Sequence, residues 1–260
     1  MTSPTSATVR ERGGPAPTSR RILQHALFEA RILLGNGEQL MVALVLPALL
    51  LLGLRFLPIG EVAGLARIDT AVAATAATAL ISTAFTSQAI QTGFDRRAGV
   101  LRWVATTPLG RDGYLAGKIL ATLGVQVLQI LLLGSLALLL GWRPALLGLL
   151  GAVPVWLIGS IAFGALGLLI AGTLRTEAVL ALTNVLFLLF VAVGGIAIPA
   201  VQFPRILRSL VDILPSGALG ELFRATLAGG AFSPGALLVL MAWALGASFL
   251  VTRYFRWTSV

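Results

Sequence analysis

Long apolar runs recur along almost the whole chain, at about 40–57, 70–91, 115–140, 145–171, 178–198 and 234–252. Each is roughly long enough to cross a hydrocarbon layer of about 30 Å. Runs of this length and frequency leave too little polar sequence to cover a water-soluble domain. The chain is 57% hydrophobic and 11% charged with a mean hydropathy of +0.95, which excludes an ordinary soluble fold. The predicted class is an all-α polytopic membrane protein with six transmembrane helices.

The residue types present narrow the chemistry. With no Cys and one His, disulfide frameworks, thiol chemistry and nearly every zinc site drop out, so no catalytic and no metal residues are assigned. A net charge of +9 raises the question of nucleic acid. The basic residues lie in short loops between apolar runs, however, and not on one aromatic-studded face, so no nucleic-acid partner is expected.

Residues 1–20, rich in Ser, Thr, Pro, Gly and Arg, read as a disordered cytoplasmic tail, and 21–260 as a single transmembrane domain. From Arg21 to Leu34, Ile22, Leu23, Ala26, Leu27, Ala30 and Leu33 recur at helical spacing. That pattern predicts an amphipathic helix lying in the membrane interface before the first span. Pro47 falls inside the first span and is expected to kink it. The second span is built from Ala and Thr, with Gln88 near its end, and the third carries Gln126 and Gln129 on one face. The fifth carries Thr183 and Asn184. These five polar residues, Gln88, Gln126, Gln129, Thr183 and Asn184, are the candidates for a translocation path. Between the fifth and sixth spans, 203–214 and 216–227 read as two short amphipathic helices separated by Pro215. The last span ends in Arg253, Tyr254, Phe255, Arg256 and Trp257, an interfacial anchor.

The longest polar interruption after the amino terminus is 92–118, TGFDRRAGVLRWVATTPLGRDGYLAGK. A charged turn at Asp95, Arg96 and Arg97 leads into a short helix with Val100, Trp103 and Val104 on one face. Pro108 stops that helix and starts a turn. With six spans, this loop and both termini share a side. That side holds Arg96, Arg97, Arg102, Arg111 and Lys118 among many others, whereas the opposite side holds only Arg55, Arg67, Arg143, Arg205, Arg208 and Arg224. The positive-inside rule therefore places the loop and both termini in the cytoplasm.

The same loop carries a resemblance. Arg96, Arg97, Gly99, Leu101, Thr107, Pro108, Leu109, Tyr114, Leu115, Gly117 and Lys118 are similar to the loop between the second and third spans of ATP-binding-cassette export permeases of the second type. Glu29, Arg31, Leu33, Leu34, Asn36, Gly37, Glu38 and Gln39 resemble the drug-export branch. The resemblance implies a cytoplasmic coupling helix that docks in a groove of a separate cassette ATPase, an interfacial helix before the first span, and a pair of surface or re-entrant helices on the outer side before the last. On that basis Asp95, Arg96, Arg97, Val100, Leu101, Arg102, Trp103 and Pro108 are the expected ATPase contact, with Val100, Leu101 and Trp103 as its apolar plug. Many relatives carry an acid at or beside the position of Val100.

The expected function is that of the non-catalytic membrane subunit of an ATP-driven exporter in a bacterial plasma membrane, moving a hydrophobic drug or lipid-like substrate. It would pair with a second permease copy or a sister permease. No cofactor is expected in this chain: it has no G-x-x-x-x-G-K-[ST] phosphate loop, so ATP and magnesium would sit on the partner ATPase. The alternatives are a stand-alone secondary carrier or channel, and a non-transporting membrane scaffold. The near absence of ionisable residues from the apolar runs weighs against an ion-coupled carrier.

Overall fold

The computed structural model describes residues 16–57 and 64–257, with the side chain of Glu38 excepted. Most of the expected amino-terminal tail lies outside these residues, as does part of the polar segment after the first apolar run. Ten helices organise the described chain: α1 (Thr18–Gly35), α2 (Met41–Phe56), α3 (Arg67–Arg97), α4 (Val100–Ala105), α5 (Gly110–Leu139), α6 (Leu146–Thr173), α7 (Thr176–Ala192), α8 (Arg205–Ile213), α9 (Pro215–Leu227) and α10 (Pro234–Tyr254). Among the described residues no strand occurs. Four of these helices, α3, α5, α6 and α10, are long and apolar enough to cross a membrane, while α2 and α7 are apolar but shorter.

α3 is the centre of the bundle. Its run of Ala, Thr and Ser gives it almost no side-chain bulk, and α2, α6, α7 and α9 all pack on it. The closest approach is to α6. A Cβ on Gly167 would lie 2.7 Å from the Phe85 carbonyl oxygen, so glycine is the residue that lets these two backbones meet. Phe85, Phe163 and Phe190 then pack edge to face around the crossing.

Both α2 and α3 contain a π turn, at Met41–Val45 and Ser82–Ser87. Each has a local cause. Pro47 has no N–H to offer the carbonyl of Ala43 four residues back, and that oxygen instead accepts from Gln129 Nε2 at 2.6 Å. In α3, Ser82 and Thr83 both donate to the Ala79 carbonyl at 2.8 and 3.0 Å, and Ser87 donates five residues back to Ser82 at 3.0 Å. Hydroxyls that compete for the helix carbonyls loosen the regular ladder. Gln129 joins the two turns, since its Oε1 also lies 3.2 Å from the Thr83 hydroxyl.

Two boundaries differ from the sequence-based expectation. α1 begins at Thr18, inside the expected tail. α5 begins at Gly110, five residues before the expected start of the third run, so Lys118 lies two turns inside the helix. The two short helices before α10, expected as surface or re-entrant, differ. α8 exposes almost every residue, but α9 is buried along most of its length against α3 and α6, and Arg224 on it donates to the Gly195 carbonyl at 3.0 Å. That burial pushes the Arg224 guanidinium down to about 10. Ser233 caps α10, accepting from the Ala236 N–H at 3.3 Å with Pro234 in the first turn.

Candidate functional site, the α3–α5 loop and the charged seam beneath it

The chain leaves α3 through Gly99, whose φ of +75° suits glycine and turns the backbone sharply into α4. A second positive φ, +69° at Gly110, turns it again into α5. Between them α4 lies on a small apolar cluster of Leu101, Val104 and Tyr114, with Phe255 and Trp257 from the carboxyl-terminal segment packed against it. These last two aromatics, expected as part of an interfacial anchor, pack beneath α4, and Arg111 stacks 5.0 Å from the Trp257 ring.

This packing sets which face of α4 points outward, and it differs from the expected one. Leu101 is completely buried and Val104 nearly so, whereas Trp103 is 69% exposed. Of the expected stripe, Val104 faces the cluster around Tyr114 and Val100 packs partly buried against it, while Trp103 turns outward; of the expected plug of Val100, Leu101 and Trp103, Leu101 is the member that the cluster takes inward. Among the eight residues assigned to the contact, Arg97, Arg102, Trp103 and Pro108 are exposed, Val100 and Asp95 are half-buried, and Leu101 and Arg96 are buried. Arg96 turns inward to donate to the carbonyls of Ala171 and Leu174 at 2.8 and 2.7 Å, closing the carboxyl end of α6 where unpaired carbonyls gather. Arg97 pairs with Glu177 at 2.5 Å, but both side chains are exposed and the pair contributes little to stability.

Beneath the loop lies a feature not assigned from sequence. Lys118, 1% exposed, sits between Glu29 Oε2 at 2.9 Å and Asp95 Oδ2 at 2.8 Å. Gln91 donates to the same Glu29 oxygen at 2.7 Å, and the Tyr114 hydroxyl donates to Asp95 Oδ2 at 2.6 Å. His25 Nε2 approaches the other Glu29 oxygen at 3.4 Å, and burial holds His25 below its ordinary value. Three elements therefore meet through charge: α1 supplies His25 and Glu29, α3 supplies Gln91 and Asp95, and α5 supplies Tyr114 and Lys118. Arg21 of α1 also donates to the Pro108 carbonyl in the loop.

Close approach of α1 and α5 makes the seam possible. A Cβ on Gly117 would fall 2.5 Å from the His25 ring, and one on Gly113 would lie 3.8 Å from Ile22. The signals were present in the sequence: Lys118 is the sole Lys and falls within an apolar stretch, and Gly113 and Gly117 stand four apart, a spacing that brings helices together.

A helical bundle of this kind, with a short helix carried on a loop, has known relatives. Residues 30–228 match the ABC-2 type transporter family. The chain belongs to that family. It is also 26% identical over 166 residues to "Putative transport permease YvfS" of Bacillus subtilis (strain 168), an alignment covering 62% of this chain and 66% of the relative. The chain thus spans just under two thirds of the length of the curated relative it matches.

The polar residues assigned to a path in this ABC-2 chain fall in two places. Gln88, Gln126 and Gln129 are buried along the contact of α5 with its neighbours. Gln88 accepts from Thr122 at 3.3 Å, and Gln126 accepts from Ser160 on α6 at 2.9 Å. Thr183 and Asn184 are on α7, where Thr183 donates to its own helix at Val179 and Asn184 is exposed. Within one chain the five do not line a single surface.

Proposed function

We propose that the chain is the membrane-spanning subunit of an ATP-driven exporter. In it six helices, α2, α3, α5, α6, α7 and α10, cross a bacterial plasma membrane with both termini in the cytoplasm. The shorter α7 spans roughly 25 Å at helical rise, and the irregular residues after it extend its reach. A cassette ATPase holding ATP and magnesium docks on α4, and a second permease copy or a sister permease completes the path. The substrate is a hydrophobic drug or lipid-like molecule.

The observation that carries this proposal is the build of α4. A helix of six residues is too short to hold its shape alone, yet this one is buttressed from below and presents Trp103 and Arg102 outward. An exposed aromatic beside arginines is the composition of a binding hot spot. A push on α4 passes to Tyr114, and from there through Asp95 and Lys118 to Glu29. The interfacial helix α1 and the long helix α5 then move as one piece with the loop. Charge-assisted bonds in a water-poor setting resist being pulled apart, which suits transmission of force.

Co-expression with a cassette ATPase, followed by purification and ATPase and transport assays in proteoliposomes, tests the proposal. Trp103→Ala and Arg102→Ala are expected to weaken co-purification and lower transport per ATP hydrolysed while leaving the thermal stability of the isolated chain unchanged. Failure of the folded chain to pair with any cassette ATPase, or unaltered coupling in the double variant, would sink it.

A further inference from the structure

An exposed side chain on a membrane span is ordinary for Leu or Val and not for an amide. α7 packs on α3, α6 and α9 through one buried stripe, Val179, Thr183, Phe187 and Phe190. The side turned away from that stripe is open, and Asn184 lies on it, exposed and, among the described residues, without a hydrogen-bond partner. Asn184 is the ninth of the 17 residues of α7. At about 1.5 Å of rise per residue, roughly 12 Å of helix separates it from either end. A polar group at that depth is costly in hydrocarbon, and such groups face protein or a water-filled space. The amides of Gln126 and Gln129, in the bundle interior, are met by Ser160 and by the Ala43 carbonyl. Nothing within this chain meets Asn184, so the group that does belongs to another molecule. Ala181, three residues before it, and Leu188, four after, share its stripe and are exposed as well. Spacing of three and four residues is the seam along which helices pack on one another, and an alanine in it lets two backbones come close.

We infer that this face of α7 docks a second copy of the chain, so that the permease pair is a homodimer with Asn184 of one copy against Asn184 of the other. A carboxamide carries a carbonyl acceptor and an N–H donor, and two identical amides therefore satisfy each other. A two-fold axis along the membrane normal holds both copies of residue 184 at the same depth, whereas a sister permease would have to supply a matching polar group at that depth. One polar residue in an otherwise apolar seam also fixes register, since any slip leaves both amides in hydrocarbon. Asn184 thus belongs to an interface and not to the wall of a path. The inference names the partner that the proposed function leaves open between a copy and a sister. It rests on the part of that reading that sends α7 across the membrane, and not on the ATPase.

The chain has no native Cys, so a single introduced Cys reports on one position. A disulfide between two copies of that position needs their Cα atoms about 4.4–6.8 Å apart. Ala181→Cys and Leu188→Cys, each in the full chain in lipid vesicles oxidised with copper phenanthroline, are expected to give disulfide-linked dimers. Leu182→Cys, exposed on the far flank of α7, is expected to stay monomeric on a denaturing gel. Asn184→Leu is expected to weaken self-association roughly tenfold, read by energy transfer between labelled copies as they are diluted in lipid. Asn184→Gln keeps the amide and is expected to recover most of that loss. Because Asn184 has no partner within the chain, both variants are expected to fold with unchanged thermal stability. No disulfide at 181 or 188 with or without a cassette ATPase bound, an equal yield from Leu182→Cys, or self-association indifferent to Asn184→Leu would overturn the inference. Labelling of unoxidised Leu188→Cys by a membrane-impermeant maleimide would put this face against water and overturn it too. ATPase coupling through α4 without these disulfides would leave the proposed exporter standing and remove the homodimer alone, whereas disulfides in a chain that pairs with no ATPase would do the reverse.

Discussion

The two ends of α5 are built on opposite principles. At its start, Tyr114 and Lys118 reach acids on α1 and α3, so the ionisable groups there are held by partners from other helices. Towards its far end the neighbouring helices enclose a cavity with no charged lining, and the indoles of Trp142 and Trp156 and the hydroxyl of Thr75 have no protein partner among the described residues. Polar groups that satisfy one another lock three elements into fixed register. Polar groups left unsatisfied cost stability and fix no register. The charged end is suited to transmitting movement, and the far end is held chiefly by apolar packing.

The sharpest way to break this contrast is Lys118→Met. It strands the buried carboxylate of Glu29 and leaves half-buried Asp95 without its cation, and a loss of about 3–5 kcal/mol is expected, read as a lowered unfolding temperature in detergent. Adding Glu29→Gln and Asp95→Asn to it should recover part of that loss; no recovery would show that the seam does not act as a charge network. Next comes Leu101→Ala, expected to cost about 2–5 kcal/mol because the side chain is wholly buried. Trp103→Ala, two residues on and exposed, should change stability by no more than about 0.5 kcal/mol. If the two swapped magnitudes, Trp103 and not Leu101 would be the side chain that α4 turns inward.

A smaller effect is expected at the cavity. Thr75→Val keeps the side-chain shape and removes the unpartnered hydroxyl, so the chain should gain about 1 kcal/mol, seen as a higher unfolding temperature. The smallest concerns His25. Burial disfavours its charged form, so the folded chain takes up a proton at lower pH than the unfolded chain does. The stability it contributes is complete above the ordinary histidine value of 6.5 and is lost progressively as pH falls below it. Glu29, Lys118 and Asp95 all face this group and shape the profile. His25→Gln should flatten the acid side of a stability-against-pH curve, and an unchanged curve would assign the acid loss to other groups.

Much of the architecture was legible beforehand because it follows from local chemistry. The apolar runs become helices, Gly99 and Pro108 bracket a short one, and Ile22, Ala26, Ala30 and Leu33 mark α1 as amphipathic. The site was less legible. Asp95, Arg96 and Arg97 look alike as a charged cluster in the loop, yet one joins a buried seam, one closes the end of α6 and one sits in water. Their roles depend on what lies opposite, and Glu29 is 89 positions from Lys118 along the chain.

By itself, then, the sequence determined that this chain is helical, that it lives in a membrane, and which loop carries its charge, since hydropathy and turn chemistry act over a few residues at a time. Only the tertiary structure decided that Leu101 faces inward, that α9 is buried, and that the chain's one lysine holds three helices together. Those outcomes rest on contacts between segments far apart in the chain, and a buried charge or an unpaired donor has its meaning only from the neighbours that folding brings to it.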